Sequence, residues 1–180
     1  MPENVPPDEE LLLRARRFQV VRRYETLPDG SRHPRETVQH PGAVVILPLV
    51  AEDRVCLIHN YRIAVKQKLI ELPAGTLEPG EDPAVTAARE LSEETGFRAE
   101  RIRLLHEFYM SPGILNERMR LFLATGLTAG ETAREAGEQI DNWIVSWSDA
   151  LAMVDDGRIQ DAKTIAGLLF YDRLRQAGRG

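Results

Sequence analysis

The sequence predicts one layered α/β domain of mixed strands and three helices. Three observations predict it. Short, β-branched apolar segments fill the first half of the chain, a well-capped helix follows them, and two further helical segments close the chain. A length of 180 residues is usual for one domain and sufficient to bury a real core.

Each element has its own signal. Residues 1–10, acidic and proline-rich, read as a disordered or loosely tethered tail. "RRFQVVRRYETLPDGSRHPRETVQH" reads as a hairpin about its "PDG" turn. "GAVVILPLV" and "RVCLIHNYR" follow as strands separated by "AEDR", and "KLIELPAG" is a short strand entering a proline–glycine loop. "IRLLHEFYMSPG" and "ERMRLFLATGL" add two strands around a Ser-Pro-Gly turn. "AGETAREAGEQ" reads as an exposed loop, and "NWIVSW" as a strand. Ser148 as N-cap and Gly157 as stop bracket a helix, and "DAKTIAGLLFYDRLRQA" should form the last one. Residues 1–40, tail and hairpin, are expected to belong to one fold unit with residues 41–180.

Composition excludes several function classes. A formal charge of −5 does not suit a nucleic-acid binder held by a basic surface. The longest apolar run, "AVVILPLV", is too short to span a membrane, and the N-terminus lacks the pattern of a signal peptide, so a cytoplasmic protein is expected. The single cysteine, Cys56, permits no internal disulfide and reads as a buried thiol. The four histidines show no zinc-ligand spacing and read as structural or surface groups.

The helix after the glycine–proline loop carries the chemistry. Asp82 suits the N-cap, Pro83 the first turn and Gly96 the position just past the end. Ala84, Val85, Ala88, Leu91 and Thr95 are expected on one packed arc, with Glu90, Glu93 and Glu94 projecting from the opposite arc. Like charges so close on a helix repel. A divalent cation that takes hard oxygen ligands relieves this, and the loop "PAGTLEPGE" can turn Glu81 and backbone carbonyls towards the same place.

Gly75, Glu81, Arg89-Glu90-Leu91, Glu93-Glu94 and Gly96-Phe97 fill every fixed position of the pattern G-x5-E-x7-R-E-U-x-E-E-x-G-U, where U is bulky and apolar. This stretch resembles the Nudix box, and the resemblance extends over roughly residues 35–172. "ELPAG" before the box, Pro112 of "SPG" sixteen residues beyond Gly96, and "DAKTIAGLLFY" are similar to the ADP-ribose pyrophosphatase branch. The resemblance implies a Nudix-type α/β/α sandwich with a mixed sheet, and hydrolysis of ADP-ribose or another nucleoside diphosphate sugar. It also implies Mg²⁺, or Mn²⁺ in its place, and a homodimer paired through the N-terminal hairpin.

By the same resemblance Glu90 and Glu94 are the principal metal ligands, joined by Glu93 and the Ala74 carbonyl, while Arg89 and Glu81 orient the carboxylates. The general base in this branch comes from an acidic loop after the box. Glu131, Glu135 and Glu138 are the candidates, and Glu138 matches best, two residues before Ile140. Arg62, at a strand end, suits a phosphate contact because its guanidinium is planar. Arg35 and Glu36 resemble nucleotide-side contacts, and Glu117 is a candidate for the metal or the terminal ribose. A non-catalytic module that only senses ADP-ribose should have lost box carboxylates, and this chain retains them all.

Overall fold

A computed structural model describes residues 9–130 and 140–180. Its first three strands, β1 (Glu9–Arg14), β2 (Gln19–Thr26) and β3 (Arg32–Gln39), form a separate antiparallel sheet in that order. The expected hairpin is β2–β3, in register from Gln19↔Gln39 to Thr26↔Arg32. β1 is an addition: "ELLLR" pairs along β2, so Glu9 and Glu10 belong to a strand and not to a tail.

The larger sheet uses β4 (Ala43–Ala51), β5 (Arg54–Arg62), β6 (Gln67–Glu71), β7 (Ala74–Thr76), β8 (Phe97–Tyr109), β9 (Arg118–Ala129) and β10 (Ile140–Ser146). Its order is β10-β5-β4-β9-β8, with β6 on β5 and β7 on β4. β4 and β9 run parallel while the other pairs are antiparallel, so the sheet is mixed.

Alternation along β4 builds two cores. Ala43, Val45, Leu47 and Leu49 face α2 (Trp147–Asp155) and α3 (Ala162–Gln176), packing with Met153, Leu168 and Tyr171. Val44 and Ile46 face α1 (Pro83–Thr95) and pack with Ala87, Leu91 and Phe122. One period-2 strand buried on both faces therefore produces the helix–sheet–helix sandwich. Gly167 lets α3 approach closely, since a Cβ there would lie 2.9 Å from Leu72 Cδ1. Leu91 is fully buried, and truncating such a leucine to alanine costs about 2–5 kcal/mol.

The caps of α1 agree with expectation: Asp82 Oδ1 accepts from Ala84 N–H at 2.7 Å, and Gly96 sits at φ 74°. Its faces do not. Ala84, Val85 and Ala88 are exposed, and the buried set is Thr86, Ala87, Leu91, Glu94 and Thr95. The arc that packs on the sheet runs through Ala87, Leu91 and Glu94, and Val85 and Ala88 turn away from it. Glu94 falls on the packed side, because it follows Ala87 by seven residues and so shares its face. In α2 the N-cap is Ser146, which accepts from Asp149 N–H, and not Ser148, because the β10 ladder runs on to Ser146.

Hydrogen bonds fasten the small sheet to the rest of the chain. Val38 N–H donates to Ile114 O, Asn116 N–H donates to Val38 O, and His40 N–H donates to Asn116 Oδ1. The loop after β8 is thereby pinned to the end of β3. Among the described residues no helix is long and apolar enough to cross a membrane.

Candidate active site

The loop from β6 through β7 into α1 forms the floor of a cleft of about 940 Å³, within the size range of small-molecule sites. The tight approach of loop and helix depends on Gly75. A Cβ there would lie 1.9 Å from Glu90 Cδ and 2.0 Å from its Oε1, so only glycine lets this carboxylate lie on the backbone. Beside it, Glu94 is only 4% exposed and its Oε2 accepts from Ala74 N–H at 2.9 Å. A buried carboxylate requires such a donor.

Arg89 gathers the remaining acids. Its guanidinium donates to Glu90 Oε1 at 2.8 Å, Glu93 Oε2 at 2.9 Å, and both Glu81 oxygens at 3.2 and 3.3 Å. The hydrogen bonds that Arg89 donates to Glu81, chiefly, hold the Arg89 pKa above its ordinary value. The reciprocal bond holds the Glu81 carboxyl below its own. Glu81 is also fixed by the turn, since Glu78 N–H donates to its Oε2 at 3.3 Å. Glu90 and Glu94 thus lie against the turn, and Arg89, itself bonded to Glu81, joins Glu90 to Glu93.

The donor set at this floor is hard oxygen throughout, the chemistry that Mg²⁺ prefers. Among the described residues no three acid, histidine or cysteine side chains already stand as a cation cage. Arg89 instead supplies the balancing charge to Glu90 and Glu93. The residues therefore fit a divalent cation by chemistry and by proximity to the Ala74–Gly75 turn.

Arg62 lines the same cleft, 40% exposed, braced on Glu71 by Nε to Oε1 at 2.8 Å and Nη2 to Oε2 at 2.5 Å. Glu117 is also there, with its Oε1 3.4 Å from His40 Nδ1. Arg35 and Glu36 are not brought to this cleft within one chain. Arg35 pairs with Glu25 at 3.2 Å and Glu36 with Arg22 at 2.8 Å on the β2–β3 sheet, where Arg22 is half-buried and the other three are exposed. Glu131, Glu135 and Glu138 lie outside the described residues. Of the other histidines, His59 stacks on Trp143 and His106 on Phe170, while His33 is exposed on β3.

Sequence reasoning missed two groups. The β1–β2 turn brings Arg16, Arg17 and Phe18 to the cleft, a consequence of the unforeseen strand β1. Glu71, Asp161 and Lys163 also line or underlie it. "ELPAG" and "DAKT" were visible as motifs, yet nothing in the chain indicates that residues 92 positions apart meet.

The fold and this acidic floor define a hydrolase-type site, and the NUDIX domain model matches residues 38–168: the chain belongs to the Nudix hydrolase family. Among curated relatives it is 39% identical over 153 residues to the methanol dehydrogenase activator of Bacillus methanolicus, covering 84% of this chain and 82% of that protein. It is equally similar, 39% over 153 residues with the same coverage, to the ADP-ribose pyrophosphatase of Bacillus subtilis (strain 168). Among solved structures, one described as an ADP compounds hydrolase superposes with a TM-score of 0.82. That likeness covers 97% of this chain and 95% of the other at 23% identity, and bears on the fold alone.

Proposed function

We propose that the protein hydrolyses the diphosphate of ADP-ribose to AMP and ribose 5-phosphate, with Mg²⁺ or a substitute such as Mn²⁺. The observation that carries this reading is the gathering of Glu90 and Glu94 against the Ala74–Gly75 turn, with Glu93 joined to Glu90 through Arg89, in a cleft that Arg62 also lines. The similarity to an ADP-ribose pyrophosphatase supports the choice of substrate.

The cation would be held by Glu90, Glu93, Glu94 and the Ala74 carbonyl. When bound, it offsets phosphate charge and lowers the pKa of water. Arg62 binds the diphosphate, Arg89 and Glu81 keep the carboxylates in place, and Glu117 faces the terminal ribose or the metal. Water attacks the adenosyl phosphorus, the bond from that phosphorus to the bridging oxygen breaks, and ribose 5-phosphate leaves with that oxygen. Glu138 takes the proton from water. Ile140, two residues further along the chain, pairs with Asn60, a residue that lines the cleft.

The reading extends to a cytoplasmic homodimer in which the small sheet and residues 41–180 act as one unit. Leu12 and Leu13 of β1 are 40% and 52% exposed, and Phe18 is 40% exposed, an apolar edge that a second copy would cover. Arg35 and Glu36 would then reach the nucleotide in the partner's cleft. A mass in solution equal to one 20.3 kDa chain would contradict this part.

A panel of nucleoside diphosphate sugars with Mg²⁺, scored by release of nucleoside monophosphate, tests the substrate. ADP-ribose should be cleaved with the highest kcat/KM. A faster relative of it would reassign the sugar, and no cleavage across the panel would favour a sensing module.

A further inference from the structure

Behind Arg62 lies a buried ionic chain that joins the last helix to the cleft. Glu71 is 0% exposed and accepts three charge-assisted hydrogen bonds, two from Arg62 and one from Lys163 Nζ at 2.7 Å. Lys163 is only 7% exposed, and its ammonium is committed to Glu71 and to Asp161 Oδ1 at 2.9 Å. Asp161 Oδ2 is in turn occupied as the N-cap of α3, accepting from Thr164 N–H at 3.0 Å and Thr164 Oγ1 at 2.5 Å. Thr164 Oγ1 accepts from Leu72 N–H at 2.8 Å, which fixes the peptide just after Glu71. Every member is thus held by a rigid element, and the chain ends at a partly exposed guanidinium.

We infer that Glu71 and Lys163 are positioning residues for Arg62, setting both the direction and the net charge of its guanidinium in the cleft. Glu71 takes the Nε and one Nη2 hydrogen, which leaves the two Nη1 hydrogens and the second Nη2 hydrogen at the far end of the guanidinium. With Arg62 alone, a buried Glu71 would neutralise it. Lys163 shares Glu71, and the Asp161 charge that balances Lys163 is drawn towards the N-terminus of α3, where a helix favours negative charge. Arg62 is left with positive charge for an anion. The inference rests on the proposed contact of Arg62 with the diphosphate, and it adds that this contact depends on a lysine whose ammonium is committed to Glu71 and Asp161.

The test is a double-mutant cycle of Lys163→Met and Arg62→Ala, read as Kd for ADP by calorimetry and as kcat/KM for ADP-ribose, with melting temperature recorded for each protein. Lys163→Met should weaken ADP binding by about 10-fold in the wild-type background and by less than about 2-fold in the Arg62→Ala background, as expected of residues that act together. The kcat/KM for ADP-ribose should follow the same pattern, and Lys163→Arg should restore most of both. Should Lys163→Met fail to fold, Lys163→Gln, which keeps a donor without the charge, enters the same cycle. An equal loss in both backgrounds, or ADP binding within 2-fold of wild type in Lys163→Met, overturns the inference, and so does ADP binding that is indifferent to Arg62→Ala. Absence of ADP-ribose cleavage by the wild type would count against the proposed function and leave the ADP cycle readable.

Discussion

Glu94 and the backbone N–H of Ala74, 20 residues apart, meet at 2.9 Å with the carboxylate almost fully buried. The bond fixes the end of α1 to the turn that floors the cleft, so one acid serves both architecture and the proposed chemistry. These roles separate in Glu94→Gln. An amide oxygen still accepts from Ala74 N–H, so the melting temperature should change by only a few degrees, while turnover falls by about 100-fold or more. Steady-state kinetics beside thermal denaturation checks this, and near-normal turnover would remove Glu94 from the ligand set.

Gly75 and Glu90 give a second separation. A methyl group at Gly75 would lie 1.9 Å from Glu90 Cδ, but the obstructing atoms are the far end of a flexible side chain. Gly75→Ala should therefore fold, displace Glu90, and lower kcat by about 10-fold or more through misplacement alone. A crystal structure of the variant with Glu90 unmoved would contradict the contact.

Glu138→Gln addresses the general base. Loss of a positioned base costs about 10²–10⁴-fold in kcat, and metal affinity should be unchanged. A full kcat in that variant would transfer the role to Glu135, Glu131 or Glu117.

Cys56 is fully buried, and burial pushes its thiol from 9.0 up to about 11. The folded state therefore favours the neutral thiol. Its contribution to stability is complete below pH 9.0 and is lost as pH rises from there through about 11. Native protein at pH 8 should resist alkylation and react fully in denaturant, whereas rapid native labelling would show that the β5 core opens.

Local chemistry was legible in the sequence where it is encoded locally. Asp82, Pro83 and Gly96 bound α1 as their side-chain and backbone preferences require, and the β2–β3 hairpin turns at "PDG". The faces of α1 were not legible in the same way. Periodicity places Ala84, Val85 and Ala88 on an apolar arc, but the arc that the sheet covers runs through Ala87, Leu91 and Glu94 instead. Strand β1 was hidden because "ELLLR" does not alternate; its pairing with β2 decides it. The brace behind Arg62 joins β6 to α3, and only the tertiary fold brings Glu71 to Lys163.

The most direct measurement is product analysis of ADP-ribose incubated with Mg²⁺ and either wild-type protein or Glu90→Gln. The wild type should release AMP and ribose 5-phosphate in equal amounts, chelation should stop the release, and Glu90→Gln should reduce it by about 100-fold or more. Intact ADP-ribose bound by the wild type without cleavage, or cleavage by Glu90→Gln at the wild-type rate, would contradict the account.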